Sequence, residues 1–270
     1  MPVLSSIRES LIAFDRFAFG GRGLTRYRRW VSRRKLDDIV QRSSHNTFAI
    51  HYSGRSFAAF AHLCDKYGSD KGTRAPGPHP YPHQPHAYAD FYALMFDHCR
   101  LSVRKVFECG LGTNNPSIPS NMGITGRPGA SLRAWRDYFP NAFIYGADID
   151  PNVLFSENRI ITFQVDQTSP ESVAALWRHP DLCDFDVFVD DGLHTFDAGI
   201  ALFQNSFHRV RPGGVYIIED VPQHSLQRFC DYFEQAAVDY SHATSTARCR
   251  QAKLDSTLII IRKPYLPNAS

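Results

Sequence analysis

The sequence predicts an α/β protein whose sheet is doubly wound, mostly parallel and finished by an antiparallel edge strand, with a helical N-terminal extension. Two observations lead to this fold class. From residue 104 onward, short apolar runs alternate with stretches of helical periodicity, the order that βαβ units produce. Two of the runs also end in acid: Phe185-Asp186-Val187-Phe188-Val189 leads into Asp190-Asp191-Gly192-Leu193-His194, and Val215-Tyr216-Ile217-Ile218 leads into Glu219-Asp220. Continuous apolar runs suit strands buried on both faces, and the carboxyl ends of such strands are where open α/β sheets bind ligands. If the two strands are neighbours, Asp191, Glu219 and Asp220 meet at one rim.

Five strands are readable in order: Lys105–Cys109, Phe143–Ile149, Ile160–Val165, Phe185–Val189 and Val215–Ile218. Leu132, Trp135 and Phe139 share one helix face, and Phe196, Ile200, Phe203, Phe207 and Val210 share another. Asp150-Pro151 and Ser169-Pro170 each set a capping side chain before a proline suited to the first helical position. Arg211-Pro212-Gly213-Gly214 reads as the turn into the fifth strand. A helix from Ser225 to Ala237 precedes a last strand at Leu258–Arg262, and a weaker strand near Tyr240–Thr246 could pair with it as an edge hairpin. Residues 74–86 are too rich in proline for a regular helix or a central strand.

Of the residues, 43% are hydrophobic, the share of an ordinary globule rather than a disordered chain. The six cysteines are scattered without a C-x-x-C pair, which argues against a zinc site and for reduced thiols. No apolar stretch approaches the roughly 20 residues that span a bilayer, and Arg8, Glu9, Asp15 and Arg16 interrupt any signal-peptide core. A cytoplasmic protein is expected, with a peripheral membrane position as the alternative. That alternative comes from residues 1–45, which carry ten basic and four acidic side chains on what reads as one or two amphipathic helices. Such an arm suits a glycan-assembly enzyme or an anionic surface. Assembly into a homo-oligomer is left open.

The first strand runs into Glu108-Cys109-Gly110-Leu111-Gly112-Thr113, a glycine turn that lets a ligand approach backbone amides. It lacks the third glycine of a dinucleotide fingerprint, since Asn115 stands there and a long insert delays the helix to about Ser131. That favours S-adenosylmethionine, which has no pyrophosphate, over NAD. Asp148 ends the second strand, where a carboxylate can accept both ribose hydroxyls, while Asp150 is better placed to cap the next helix. Asp166 and Gln167, after the third strand, are candidates for adenine or for a turn. Glu108 either holds the amino-acid end of the ligand or orders the glycine turn.

Asp191, Glu219 and Asp220 offer hard oxygen ligands, which suit Mg²⁺ or another oxygen-preferring divalent cation. His194 could ligate the ion, start a helix or act as a general base, and base is the preferred role. Imidazole accepts a proton near neutral pH, and a cation bound to an alcohol eases loss of its proton.

In order along the chain, Phe107-Glu108-Cys109-Gly110-Leu111-Gly112, Gly129-Ala130-Ser131-Leu132-Arg133-Ala134-Trp135, Tyr138-Phe139-Pro140-Asn141-Ala142, Asp190 to His194 and Ile218-Glu219-Asp220 resemble a class I S-adenosylmethionine-dependent methyltransferase. Within that superfamily the chain is most similar to the metal-dependent sugar O-methyltransferases of macrolide tailoring and to the cephalosporin-hydroxylase-like group. Tyr67-Gly68-Ser69-Asp70-Lys71-Gly72, with His86 and Tyr88, resembles the lead-in of the same enzymes. The resemblance implies a seven-stranded Rossmann-like methyltransferase sheet. It implies that Asp148 holds the cofactor ribose, that Asp191, Glu219 and Asp220 bind the metal and that His194 is the base; with the residue reading, the cofactor site is expected to comprise Glu108, Gly110, Gly112, Ser131, Asp148, Asp166 and Gln167. The expected domains are a basic helical extension (1–60), a lead-in with a proline-rich lid or acceptor wall (61–103) and an S-adenosylmethionine-binding catalytic domain (104–270).

The insert from Asn114 to Gly123 and the basic N-terminus depart from the family pattern, so a macrolide acceptor is not implied. The expected function is methyl transfer to a sugar hydroxyl of a glycan or glycosylated metabolite. Two alternatives are weighed against it. A nucleic-acid methyltransferase would use the basic arm on phosphates, but Asp190–His194 replaces the Asn/Asp-Pro-Pro-aromatic motif of amino-methylating DNA enzymes. A noncatalytic cofactor-binding scaffold would have no reason to hold glycines, ribose acid, metal acids and base together.

Overall fold

The computed structural model describes residues 59–72, 80–81, 85–86, 88–235, 247–248 and 257–265, all within the compact unit Ala49–Ser270. The basic segment 1–45, the strand expected near Tyr240–Thr246 and most of the proline-rich stretch lie outside the described residues. The elements are α1 (Ala59–Tyr67), α2 (Tyr88–Phe96), β1 (Lys105–Cys109), α3 (Ala130–Tyr138), β2 (Phe143–Asp148), β3 (Ser156–Glu157), β4 (Ile160–Gln164) and α4 (Pro170–Leu176). They continue with β5 (Phe185–Asp190), α5 (Phe196–Ser206), β6 (Val210–Ile218), α6 (Gln223–Gln235), β7 (Ala247–Arg248) and β8 (Thr257–Arg262).

The strands form one eight-stranded sheet in the order β3-β4-β2-β1-β5-β6-β8-β7. β4, β2, β1, β5 and β6 are parallel, and β8 runs antiparallel to β6, as the sequence predicts for the last strand. Two short strands lie outside those the sequence predicts: β7, paired with β8, and β3, two residues folded back on β4 through the left-handed Arg159. β3 is too short to leave an apolar run.

One expectation is corrected. Arg211-Pro212-Gly213-Gly214 is not a turn ahead of the strand but the bulged beginning of it, because Val210 already pairs with Phe185 and the register shifts before Val187. Gly213 adopts φ 77°, and Lys263 bridges the bulge, its O accepting from Gly213 N–H and its N–H donating to Gly214 O. Proline is tolerated there because a bulge spares it a ladder donor. Accordingly α5 ends at Ser206, a 3₁₀ turn covers Phe207–Arg209, and Val210 belongs to the strand.

β5 is buried throughout, as a central parallel strand should be. On one face Val106, Val187 and Ile217 pack with Phe60, Tyr92, Trp135 and Phe139 from α1–α3, and the Phe60 and Trp135 rings stack at 4.0 Å. On the other, Phe107, Phe188 and Tyr216 meet Trp177 and Phe203. The predicted caps form: Asp150 accepts from Asn152 N–H, and Ser169 from Ser172 N–H. Among the described residues no helix is long and apolar enough to cross a membrane. The chain passes from β1 outward to β2 and β4, then returns to β5 on the other side of β1. This reversal opens a crevice at the carboxyl ends of β1 and β5.

Candidate active site

A cavity of about 550 Å³ occupies that crevice, a volume typical of small-molecule sites. Gly110, Gly112, Ser131, Asp148, Asp166 and Gln167 line it, as do Asp191, His194 and Asp220. Of the predicted site residues only Glu108 and Glu219 do not line it, since both lie buried beneath it.

Gly110 is required where it stands. Its φ is 98°, and a Cβ there would come within 2.0 Å of the Asp191 carbonyl oxygen. The glycine turn can therefore lie directly against the end of β5, with Asp191 N–H donating to Cys109 O at 2.8 Å. Asp148 is buried; its two carboxylate oxygens accept from Leu111 N–H (2.7 Å) and Asp150 N–H (2.9 Å), and burial raises its pKa. It thus shapes the turn while still facing the cavity. Glu108 accepts from Ser131 Oγ (2.6 Å) and Trp135 Nε1 (2.5 Å), which fastens the start of α3 under the glycine turn.

The two residues after β4 are held by local partners. Asp166 accepts from Thr168 N–H and Oγ1 in a turn. Gln167 donates to Asp190 Oδ1 (3.1 Å) and accepts from Leu193 N–H (2.8 Å), so its amide clamps the 190–193 loop from the cavity side. The insert after the glycine turn is closed by Asn114 Nδ2, which donates to Gly123 O and Gly126 O. Ile118 and Met122 from this insert wall the cavity, and Ser120 Oγ donates to Leu193 O at 3.2 Å.

On the acid side, Asp191, His194 and Asp220 each offer a ligand atom, all within 4.8 Å of one another. His194 Nε2 lies 3.3 Å from Asp191 Oδ1. Both His194 (φ 58°) and Asp220 (φ 50°) are left-handed, a conformation that non-glycine residues rarely adopt and that concentrates at functional sites. Thr195 follows as the N-cap of α5, its side chain accepting from Ala198 N–H. Burial pulls the His194 pKa down, but the Asp191 hydrogen bond and the charges of Asp220, Asp191 and Asp190 outweigh it and hold the imidazole up to about 9. Burial pushes Asp190 up to about 6, and its Oδ2 has no hydrogen-bond partner among the described residues.

Glu219 is turned away from this group: Lys71 Nζ bonds it at 2.6 Å and Tyr92 OH donates to its other oxygen. Lys71, 1% exposed, also bonds Asp191 Oδ2 at 2.5 Å and lies 3.5 Å from Glu108 Oε1. Burial pulls the Lys71 pKa down, yet Asp191, Glu108 and Glu219 outweigh it and keep it well above the ordinary lysine value. Asp220 accepts from Tyr88 OH at 2.6 Å and has His86 Nδ1 at 3.3 Å. The sequence motif 67–72 with His86 and Tyr88 marks these residues, but spacing alone gives Lys71 no role because its partners lie 37 to 148 positions away.

No family model matches the chain. Over 172 residues it is 31% identical to the 8-demethyl-8-alpha-L-rhamnosyl tetracenomycin-C 2'-O-methyltransferase of Streptomyces olivaceus, covering 62% of this chain and 39% of that protein. It is 39% identical to the demethylmacrocin O-methyltransferase of Streptomyces fradiae, covering 50% of this chain and 32% of that protein. The chain therefore spans well under half the length of these curated relatives. Among solved structures it is similar to the MycE methyltransferase of the mycinamycin biosynthetic pathway in complex with Mg, SAH and mycinamycin VI. The TM-score is 0.55 at 24% identity, covering 81% of this chain and 57% of that one. The same enzyme with Mg and SAH alone gives a TM-score of 0.53. Strand order, antiparallel edge and structural likeness agree that this chain has the Rossmann-like class I methyltransferase fold.

Proposed function

We propose that the protein is an S-adenosylmethionine-dependent, divalent-metal-dependent O-methyltransferase acting on a sugar hydroxyl of a glycan or glycosylated metabolite. One observation carries this reading: a single cavity joins the glycine turn and Asp148 to Asp191, His194 and Asp220. The relatives support the acceptor class, since they are named as O-methyltransferases of rhamnosyl tetracenomycin and demethylmacrocin.

The donor set fits a hard divalent ion, with Asp191 and Asp220 facing the cavity beside His194. Glu219 contributes charge from behind them, with its two oxygens engaged by Lys71 and Tyr92. When bound, S-adenosylmethionine supplies the methyl group and the cation stabilises charge developing on the acceptor oxygen. Asp148 accepts from the ribose hydroxyls, and the backbone of Gly110 and Gly112 gives the ligand close approach. Asp191 orients His194 through the 3.3 Å contact, and His194 takes the acceptor proton. With its pKa held up to about 9 it carries a proton at neutral pH, so it can act as base only after the charges of Asp191 and Asp220 are offset and that proton has been released to solvent. Ile118 and Met122 give the cavity an apolar wall.

The test is production of S-adenosylhomocysteine from S-adenosylmethionine with rhamnosyl and other deoxysugar glycosides, followed by mass spectrometry, with Mg²⁺ or with chelator. Turnover should need the ion. Asp191→Ala and His194→Ala should each lose at least about a hundredfold in turnover while still binding cofactor. Normal turnover by both variants would refute the mechanism.

A further inference from the structure

We propose that Lys71 is the resident cation of the carboxylate cluster, holding Glu108, Asp191 and Glu219 together when no divalent ion is bound and competing with that ion for Asp191. The competition, though not the resident role, rests on the metal site proposed above.

The argument begins with strand register. Glu108 pairs with Val189, and Val189 with Ile217. Side chains along a strand alternate faces, so Asp191 and Glu219, two residues beyond those partners, project to the same face as Glu108. Asp191 and Glu219 thus lie level with each other at the ends of two adjacent strands, with Glu108 two residues further back on the third, all under α1–α3. Strands are roughly 4.8 Å apart, and like charges at that spacing out of water repel strongly. Glu108 and Glu219 are 0% and 1% exposed, so water cannot relieve them.

Lys71 meets this arrangement with one ammonium. Its three protons face three carboxylates: Asp191 Oδ2 at 2.5 Å, Glu219 Oε2 at 2.6 Å and Glu108 Oε1 at 3.5 Å. Its placement is fixed rather than flexible. α1 ends at left-handed Gly68, Gly68 and Ser69 N–H both donate to Cys64 O, and Ala89 N–H in α2 donates to Lys71 O. Asp191 is the shared member, with Oδ2 on Lys71 and Oδ1 toward His194 and the cavity. A cation bound at the cavity side would therefore sit across one carboxylate from a buried ammonium, and the two positive charges would oppose each other.

The experiment compares wild type, Lys71→Met and Lys71→Met/Glu219→Gln by thermal unfolding in chelator and in Mg²⁺, with Mg²⁺ titration calorimetry alongside. In chelator, Lys71→Met should unfold about 10 °C lower than wild type, the loss expected when one partner of a buried ion pair is removed. Removing the Glu219 charge should restore most of that loss, and Mg²⁺ should raise Tm more in Lys71→Met than in wild type. Its Mg²⁺ affinity should rise at least about tenfold. An unchanged Tm, or a loss that neither Glu219→Gln nor Mg²⁺ relieves, overturns the resident-cation role. If Lys71→Met alone does not fold, a folded double variant supports the role and an unfolded one overturns it. Equal Mg²⁺ affinity in wild type and Lys71→Met overturns the competition. Absence of Mg²⁺ binding in wild type would instead sink the proposed metal site, leaving the chelator comparison to judge the resident role.

Discussion

A clear pH signature of the ion-free protein is expected from His194. Its imidazole is held up to about 9 in the folded chain, against about 6.5 when unfolded. At roughly 1.4 kcal/mol per pH unit, that difference stabilises the fold by about 3 kcal/mol. The side chain is 25% exposed, so solvent screens the interaction only in part. Because the folded value is the higher one, this stability is present in full below about pH 6.5 and is lost as pH rises toward 9. Asp190, raised to about 6, acts in a lower window, losing its contribution between about pH 4 and 6. Cys64 and Cys109, pushed up by burial, cost stability only as unfolded thiols ionise near pH 8.5. The assay is urea unfolding in chelator from pH 6 to 9.5 for wild type and His194→Asn, since their difference removes the thiol contribution. Wild type should be the more stable by about 3 kcal/mol at pH 6, and the two should converge near pH 9.5. Saturating Mg²⁺ should shrink the difference by offsetting Asp191 and Asp220. Parallel pH curves for the two proteins would refute the account of His194.

Two further outcomes follow from the site and its support. Asp148→Asn removes the charge and sets an amide NH2 against one of the two backbone N–H groups the carboxylate accepts from, and S-adenosylhomocysteine should bind about ten- to a hundredfold more weakly by calorimetry; unchanged affinity would remove Asp148 from the cofactor site. Trp135→Ala deletes a fully buried ring stacked on Phe60 and the donor to Glu108, and should cost about 3–5 kcal/mol, seen as a Tm lower by about 10 °C.

Much of the framework was legible in the chain itself. Apolar runs fix the five parallel strands and the last antiparallel one because a doubly covered sheet leaves no alternative composition for its interior. Asp150 and Ser169 announce their caps by the proline that follows each. The bulge at Arg211–Gly214 reads as a turn in sequence because proline and glycine punctuate both, and only pairing with Phe185 and β8 distinguishes them. β3 leaves no signal in the sequence because two residues carry no periodicity.

By itself the sequence determined that acids gather at strand ends beside a glycine turn, since those features are local. The tertiary structure decided how they are shared. Strand register turns Asp191 and Glu219 to one face and Asp190 to the other, so adjacent acids in the chain have different partners. Gln167 becomes a clamp on the Asp190 loop, and Lys71, from the turn after α1, becomes the counterion of three strand ends. Such charge balance across distant segments is set by packing and has no period or spacing for a sequence to display.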